Sequence, residues 1–564
     1  MKSILIPSTL FLILTGMIYT VAGQSYEIQN FKEHMEVFTD RNVYITGEKI
    51  YFAAYLLYGK DSGDTIHSKV FYLEIITPDG KSVTGGKFLF GQSSGYGCLT
   101  IPEDMLTGNY FAKAYTRYMR NEGTMAYCYV PLKIINPASR EVLAITGKNG
   151  NTGIHTEENA QEDLSEISCI YADKEVYGKR SSVNLEILSN ELLRAGVDHV
   201  CITVVPELSL NKDVYNAVPG EAKNSILEYY PETRGISLTG KLVEKQSGKP
   251  VQDAEVTLSV FGLKDINAMR SDARGKFHFL LPEIYGKQDI FLCAEDPGGQ
   301  ELSILVDNDY CRLRTDLPAV DFNLDEKEKD MVYKLAVNAQ VNHQYQVEKE
   351  QPPDSQLLAK KSFYGEPTEV LLMDKYIQLP TLQEYFIELP LDVRIRERQG
   401  RKFFKFYSEK AEMIMYDPLV LVDWIAIKDM SKILAIAPEK VARIEIVDQP
   451  YVKGNMIYGG IISIISKEGD FAGVDIPSSG LFLNYDFLTE NCSSIPTGEI
   501  TSYDPDPRNT LFWMPFLQIN PGKATYLSFT TSDTPGRYQV LVRGIDQNGK
   551  IISGSASFEV TGNQ

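Results

Sequence analysis

The six histidines and seven cysteines are the side chains best able to do chemistry, and their spacing argues against it. His34, His67, His155, His199, His278 and His343 make neither an H-E-x-x-H motif nor an i, i+4 pair, so a zinc protease is unsupported. Cys98, Cys128, Cys169, Cys201, Cys293, Cys311 and Cys492 contain no C-x-x-C pair, which removes zinc-ribbon and thioredoxin-like readings. Taken in order, they could pair as 98/128, 169/201 and 293/311, leaving Cys492 over; free buried thiols acting as small apolar side chains are an equal expectation. Gly91 to Gly95 (GQSSG) reads as a turn, not as a strand-to-helix nucleophile elbow, and there is no P-loop. Asp40 and Asp173 open two similar stretches and could be calcium ligands, but aspartate at a turn more often satisfies nearby backbone N–H groups. The sequence therefore predicts no enzyme, no catalytic residue, no cofactor and no metal site.

Composition sets the frame for this absence. The 564 residues are 43% hydrophobic and 11% aromatic, which is globular, and the length suits several domains. A formal net charge of −19 argues against nucleic acid or anionic lipid as partners of the chain. Residues 1–23 read as a secretory signal peptide: Lys2, an apolar run from Ile4 to Leu14, then Val21-Ala22-Gly23. No other run approaches the roughly 20 apolar residues of a spanning helix, so the mature chain is expected without a transmembrane segment.

Residues 24–140 alternate short strands with turns, as in a β-sandwich. Asp40-Arg41, Tyr44, Gly47-Glu48 and Ile50, with a later Leu106-x-Gly108-x-Tyr110, resemble the macroglobulin-type domain of the alpha-2-macroglobulin superfamily. Asp173-Lys174-Glu175-Val176-Tyr177 repeats the opening at an offset of 133 residues, which predicts a second such β-domain over 166–232. The polar, acidic stretch between them (141–165) reads as a linker. Covalent protease trapping, which the resemblance brings to mind, needs a G-C-G-E-Q thioester that no cysteine here supplies.

Residues 233–312 carry alternating strands at Ile236 to Val243 and Ala254 to Leu258, with a hairpin connection at Asp272 to Phe277. They resemble the non-catalytic carboxypeptidase regulatory-like, transthyretin-like sandwich. Residues 313–415 read as a connecting region with helices, among them one opened by a Thr381/Glu384 capping box.

Residues 416–490 are different in kind, reading as a β-α-β-loop-β unit between Pro418 and Lys467. Pro418-Leu419 with Val422-Asp423, Arg443 to Val447, and Tyr458-Gly459-Gly460-Ile461-Ile462 resemble the plug domain of TonB-dependent outer-membrane receptors. That family usually has Gly after the Asp, where this chain has Trp424. A plugged barrel of roughly 22 strands at about 9–11 residues each needs more than 200 residues. Only the 97 residues 468–564 follow Lys467, so the expectation is a reused module, not a transporter. Trp424, Tyr451, Tyr458, Gly459 and Gly460 are its candidate binding residues, in a loop expected to be exposed. Residues 491–564 read as a C-terminal macroglobulin-like β-domain.

The expected fold is mainly β: tandem Ig-, macroglobulin- and transthyretin-like sandwiches plus a small α/β plug-like domain. The expected function is non-enzymatic binding or scaffolding in the periplasm or at the outer membrane, with an outer-membrane or cell-envelope protein as partner. Two rival readings are a protease-interacting macroglobulin-like protein, and an accessory factor binding glycan or peptide for a TonB-dependent uptake system.

Overall fold

A computed structural model describes residues 32–58, 67–144, 164–210, 228–295, 300–315, 317–346, 361–389, 392–398, 400–490, 492, 495, 504–522 and 524–562. The signal-like segment 1–23 and most of the predicted linker lie outside the described residues. Within them the chain is mainly β, as expected, and forms three sandwiches and one α/β unit.

The first sandwich packs a three-stranded antiparallel sheet (Glu33–Thr39, Lys49–Tyr58, Ser94–Thr100) on a five-stranded one. The strands of the latter are Val43–Ile45, Cys128–Ile135, Gly108–Thr116, Val70–Ile76 and Ser82–Leu89. Phe52, Phe71 and Phe88 fill the space between the sheets, with Phe52 edge-on to Phe88 at 4.8 Å. Val70–Ile76 is buried along its whole length because another sandwich covers its second face. Its one charged residue, Glu74, is compensated there by Lys113 at 2.6 Å.

Two of the predicted domains are halves of one. Residues 166–232 and 491–564 do not form separate β-domains; their strands share both sheets of the second sandwich. One sheet holds Ile170–Ala172, Ser182–Ile187 and Thr525–Thr530. In the other, His199–Pro206 lies between Gly536–Ile545 and Phe512–Gln518. The reason is hydrogen bonding. His199–Pro206 (HVCITVVP) is apolar and buried, so both its edges must find backbone partners, and the strands that supply them come from the end of the chain. Leu164–Glu166, at the end of the predicted linker, already pairs with Ile551–Val560.

The third sandwich has the same character. Ser237–Glu244 lies between Lys276–Leu280 and Leu302–Val306, facing a sheet ordered Asp265–Arg270, Glu255–Val260, Lys287–Ala294 and Leu481–Asp486. The last of these strands was expected inside the 416–490 unit. It belongs instead to the sandwich, where it pairs with Lys287–Ala294 from Lys287↔Asp486 to Leu292↔Leu481.

The α/β unit is therefore an insertion in the third sandwich, which is itself inserted in the second. Its five-stranded sheet runs Glu369–Leu372, Val441–Val447, Ile461–Ser466, Leu419–Val422, Ile425–Ala426, with Leu419–Val422 parallel to Ile461–Ser466. The predicted connecting region 313–415 divides in two. Glu326–Gln346 is a helix whose Met331, Val332 and Leu335 bury against Val43, Ile45 and Ile135 of the first sandwich. From residue 361 onward the chain belongs to the α/β unit, including the helix Leu382–Glu388. Thr381 caps that helix, accepting from the Glu384 N–H at 3.3 Å.

The cysteines do not follow the in-order pairing. Cys98 and Cys492 are joined across 394 residues with Cα atoms 5.5 Å apart, while Cys128, Cys169, Cys201, Cys293 and Cys311 are free thiols. Order along the sequence failed as a guide because chain neighbours lie in different layers. Cys293 faces Thr257 and the α/β unit, whereas Cys311 accepts from the Tyr127 hydroxyl of the first sandwich at 3.3 Å.

Candidate functional site

The repeated Asp-x-x-x-Tyr motif is a turn lock. In the first copy the Tyr44 hydroxyl donates to Asp40 Oδ1 at 2.7 Å and the Tyr51 N–H donates to the same oxygen at 3.1 Å. In the second, the Tyr177 hydroxyl donates to Asp173 Oδ1 at 2.7 Å and the Asn184 N–H donates to the same oxygen at 2.8 Å. Tyr51 and Asn184 each stand eleven residues after their aspartate. Both aspartates thus do the turn work that competed with the calcium reading. Among the described residues no three His, Cys, Asp or Glu side chains gather as a metal cluster.

The two copies differ in cover. Asp173 lies near solvent; slight burial pushes its carboxyl up, but the hydrogen bonds from Tyr177 and Asn184 outweigh this and hold it below the usual aspartate range. Asp40 is fully buried, and burial raises it against the Arg41 charge and the bonds from Thr510 and Tyr44. The cover comes from the second sandwich. Thr510 donates to Asp40 Oδ2 at 2.6 Å, Asn509 donates to Glu48 Oε1 at 2.7 Å, and Thr203 donates to the Asp40 carbonyl at 3.0 Å. Arg41 completes the node by donating to Glu48 at 2.8 Å.

A second buried node, which no sequence signal marked, joins the first and third sandwiches. Glu232 is fully buried and accepts from the Tyr72 hydroxyl at 2.9 Å and the Ser237 N–H at 2.6 Å. Burial pushes its carboxyl up to about 7, against the Arg117 charge and these two bonds. Lys87 reinforces the same interface, donating to Asp309 and to the Asp486 carbonyl, each at 2.5 Å.

Trp424, Tyr451 and Tyr458 lie at the seam of the α/β unit with the third sandwich, whereas Gly459 and Gly460 are buried within the unit itself. Of the loop expected to be exposed, Tyr458, Gly459 and Gly460 are buried while Val452, Gly454, Asn455 and Ile457 remain exposed. Tyr458 donates to Glu255 Oε1 at 2.7 Å, while Lys428 holds the other oxygen at 3.0 Å. Burial, then the Glu255 charge, raise the Tyr458 phenol far above its ordinary value. Tyr451 donates to the Phe363 carbonyl at 2.9 Å. Gly459 and Gly460 are both buried. A Cβ on Gly459 would overlap the Tyr416 carbonyl, and Gly460 (φ +106°) has the Phe406 ring where a side chain would go. Gly454 (φ +61°) lies directly against the Ala268 carbonyl of the sandwich.

Trp424 occupies a left-handed position (φ 73°), the conformation that explains why glycine suits this turn. Its carbonyl accepts from Ser259 Oγ of the sandwich at 2.7 Å, and its ring stacks on Tyr364 with centroids 6.0 Å apart. Asp423 before it accepts from the Ser466 and Phe471 N–H groups at 2.8 and 2.9 Å, which fixes the turn. GQSSG connects two strands that lie in the two facing sheets of the first sandwich, with the Gly91 N–H donating to the Ser94 carbonyl at 2.7 Å, so it is a tight turn between sheets and not an elbow leading to a helix.

No protein-family model matches the chain, and no curated protein matches it. Solved structures do overlap with it. Escherichia coli alpha-2-macroglobulin activated by porcine elastase covers 94% of this chain at 9% identity and a TM-score of 0.23. Its native conformation covers 94% at 10% identity and a TM-score of 0.24. The chain spans 43% and 40% of those two proteins. The Yersinia pseudotuberculosis adhesin InvE covers 49% at 12% identity and a TM-score of 0.14, with 58% of its own length matched. Overlaps of this size carry no functional argument. No helix among the described residues is long and apolar enough to cross a membrane, which leaves crossing by β-strands unaddressed.

Proposed function

We propose that this chain is an exported, non-catalytic scaffold of the cell envelope that holds its α/β unit in one fixed orientation toward an envelope protein. The observation that carries the reading is the nested insertion. The unit's first described residues are bonded to the third sandwich, the Phe363 N–H donating to the Lys264 carbonyl at 3.3 Å, and the chain returns to that sandwich through Leu481–Asp486, so both ends of the unit are tied to it. The Tyr458–Glu255–Lys428 cluster and the Ser259–Trp424 bond then fix the seam between the attachment points. Fastening at both ends and along the seam suppresses the independent motion expected of domains joined by one linker. The surface offered to a partner is accordingly the side turned away from the seam, not the loop of Tyr451, Tyr458, Gly459 and Gly460.

The test is cross-linking in intact cells expressing the tagged full chain, followed by fractionation and mass spectrometry. The expected result is recovery in the envelope fraction, with one recurring envelope protein linked through lysines of the α/β unit such as Lys402, Lys410 or Lys432. Recovery in the cytosol, or links scattered evenly over the sandwiches, would overturn the reading.

A further inference from the structure

The outward face of one hairpin breaks with the acidity of the chain. Val393–Arg398 pairs with Arg401–Phe406, and strand alternation turns Val393, Ile395, Phe404 and Phe406 inward. Phe404 packs there on Phe386 of the Leu382–Glu388 helix, with ring centroids 4.5 Å apart. The same alternation turns Arg394, Arg396 and Arg398 outward, opposite Lys405, Phe403 and Arg401. Two of these three cross-strand pairs are like-charged, Arg394 with Lys405 and Arg398 with Arg401. Like charges directly opposed weaken a two-stranded ribbon. Between residues 394 and 405 this face therefore carries five basic side chains, while Lys402 and Glu397 oppose each other on the other side, in a chain of net charge −19.

Apolar side chains border this face. Tyr407 continues the outward register, its N–H bonded to the Asp392 carbonyl at 2.7 Å, and is 78% exposed. Lys405 Nζ donates to the Ile414 and Tyr416 carbonyls at 3.1 and 2.9 Å and pairs with Asp417 at 3.0 Å. The end of the helix Ala411–Met415 is thereby held beside the basic face. Ile414 and Met415 are 58% and 72% exposed.

We propose that this face docks on a bilayer surface rich in anionic phospholipid. The guanidinium groups pair with headgroup phosphates, and Tyr407, Ile414 and Met415 enter the boundary between headgroups and acyl chains. The combination selects the occupant. An acidic protein or a nucleic acid strand would satisfy the cations but offer the exposed Ile and Met no apolar layer. Net charge argues against an anionic partner for the chain as a whole; the hairpin is the local exception. The proposal does not rest on the scaffold reading, since vesicle binding and partner cross-linking are read separately.

The experiment is co-sedimentation of the full chain with vesicles of phosphatidylglycerol and phosphatidylcholine mixed, against phosphatidylcholine alone, with polyglutamate as a soluble anionic probe. At about fivefold per basic residue near the surface, R394Q/R396Q/R398Q should weaken partitioning into the anionic vesicles by about 100-fold. R394K/R396K/R398K should retain it, and the thermal transition of both variants serves as the check on folding. I414S/M415S should weaken vesicle partitioning while leaving polyglutamate binding unchanged. Equal partitioning into phosphatidylcholine, no partitioning at all, or indifference to the glutamine triple would overturn the proposal. Polyglutamate binding lost in the glutamine triple, without vesicle binding, would overturn it too, and would name an acidic peptide as the occupant.

Discussion

The Tyr458 hydroxyl donates to the Glu255 carboxylate at 2.7 Å across a seam that joins residues 203 positions apart in sequence. Lys428 completes the carboxylate from the same side. This contact turns the α/β unit from an appendage into part of the sandwich. A hydrogen bond to a charged, largely buried acceptor contributes about 1.5–3 kcal/mol. Tyr458→Phe should cost about 1–2 kcal/mol of stability in urea unfolding, because Lys428 still covers the carboxylate. A cycle with Glu255→Gln should show coupling of about 1 kcal/mol or more; additive single losses would mean that the pair is not a clamp.

Gly454 tests the same seam through the backbone. With φ at +61° and the Ala268 carbonyl where a Cβ would sit, Gly454→Ala should destabilise by more than about 1 kcal/mol. Gly469→Ala is the control, since φ is also positive there (+69°) but the space around it is open. Equal effects of the two would show that only backbone strain is at work and that the seam is not tightly closed.

Glu232 predicts a pH dependence. Below the ordinary glutamate value near 4.5 its carboxyl is protonated in folded and unfolded chains alike. Between there and about 7 only the folded chain holds the proton, so stability from this group is present at low pH and lost as pH rises through that window. At about 1.4 kcal/mol per unit the loss is on the order of 3 kcal/mol. Glu232→Gln should flatten the profile between pH 5 and 7; an unchanged slope in the variant would remove this node from the account.

The cysteines give a covalent test. Peptide mapping without reduction should recover one cross-linked species joining Cys98 to Cys492. Burial pushes the Cys201 and Cys293 thiols up to about 12, so both should resist alkylation until the chain unfolds. A 98/128 or 169/201 link would contradict the fold as described.

Much of this architecture was legible in the sequence, and what was not has a common cause. The Asp40/Tyr44 and Asp173/Tyr177 locks stood out because turn chemistry is local. The β-α-β-loop-β order around Leu419, Arg443 and Ile461 stood out because apolar periodicity is local too. Nothing local marks that His199–Pro206 finds its partners more than 300 residues later, so one discontinuous sandwich read as two domains. The strand Leu481–Asp486 alternates equally well whichever sheet it joins. Tyr458 and Gly460 suggested an exposed loop by composition, whereas tertiary contacts decide their burial: Tyr458 meets Glu255 of the sandwich and Gly460 meets the Phe406 ring of its own unit. The basic hairpin escaped notice because its arginines alternate with apolar residues and appear as a face only once Arg394 is paired with Lys405.

Native-state hydrogen exchange across a urea series tests most directly whether the inserted unit and its host sandwich are one body. Strands Val441–Val447 and Ile461–Ser466 should exchange with the same opening free energy and urea slope as Ser237–Glu244 and Lys287–Ala294, and Tyr458→Phe should lower all four together. Exchange from the α/β strands at a markedly lower free energy, with the sandwich strands still protected, would show a unit that opens alone and would contradict the account.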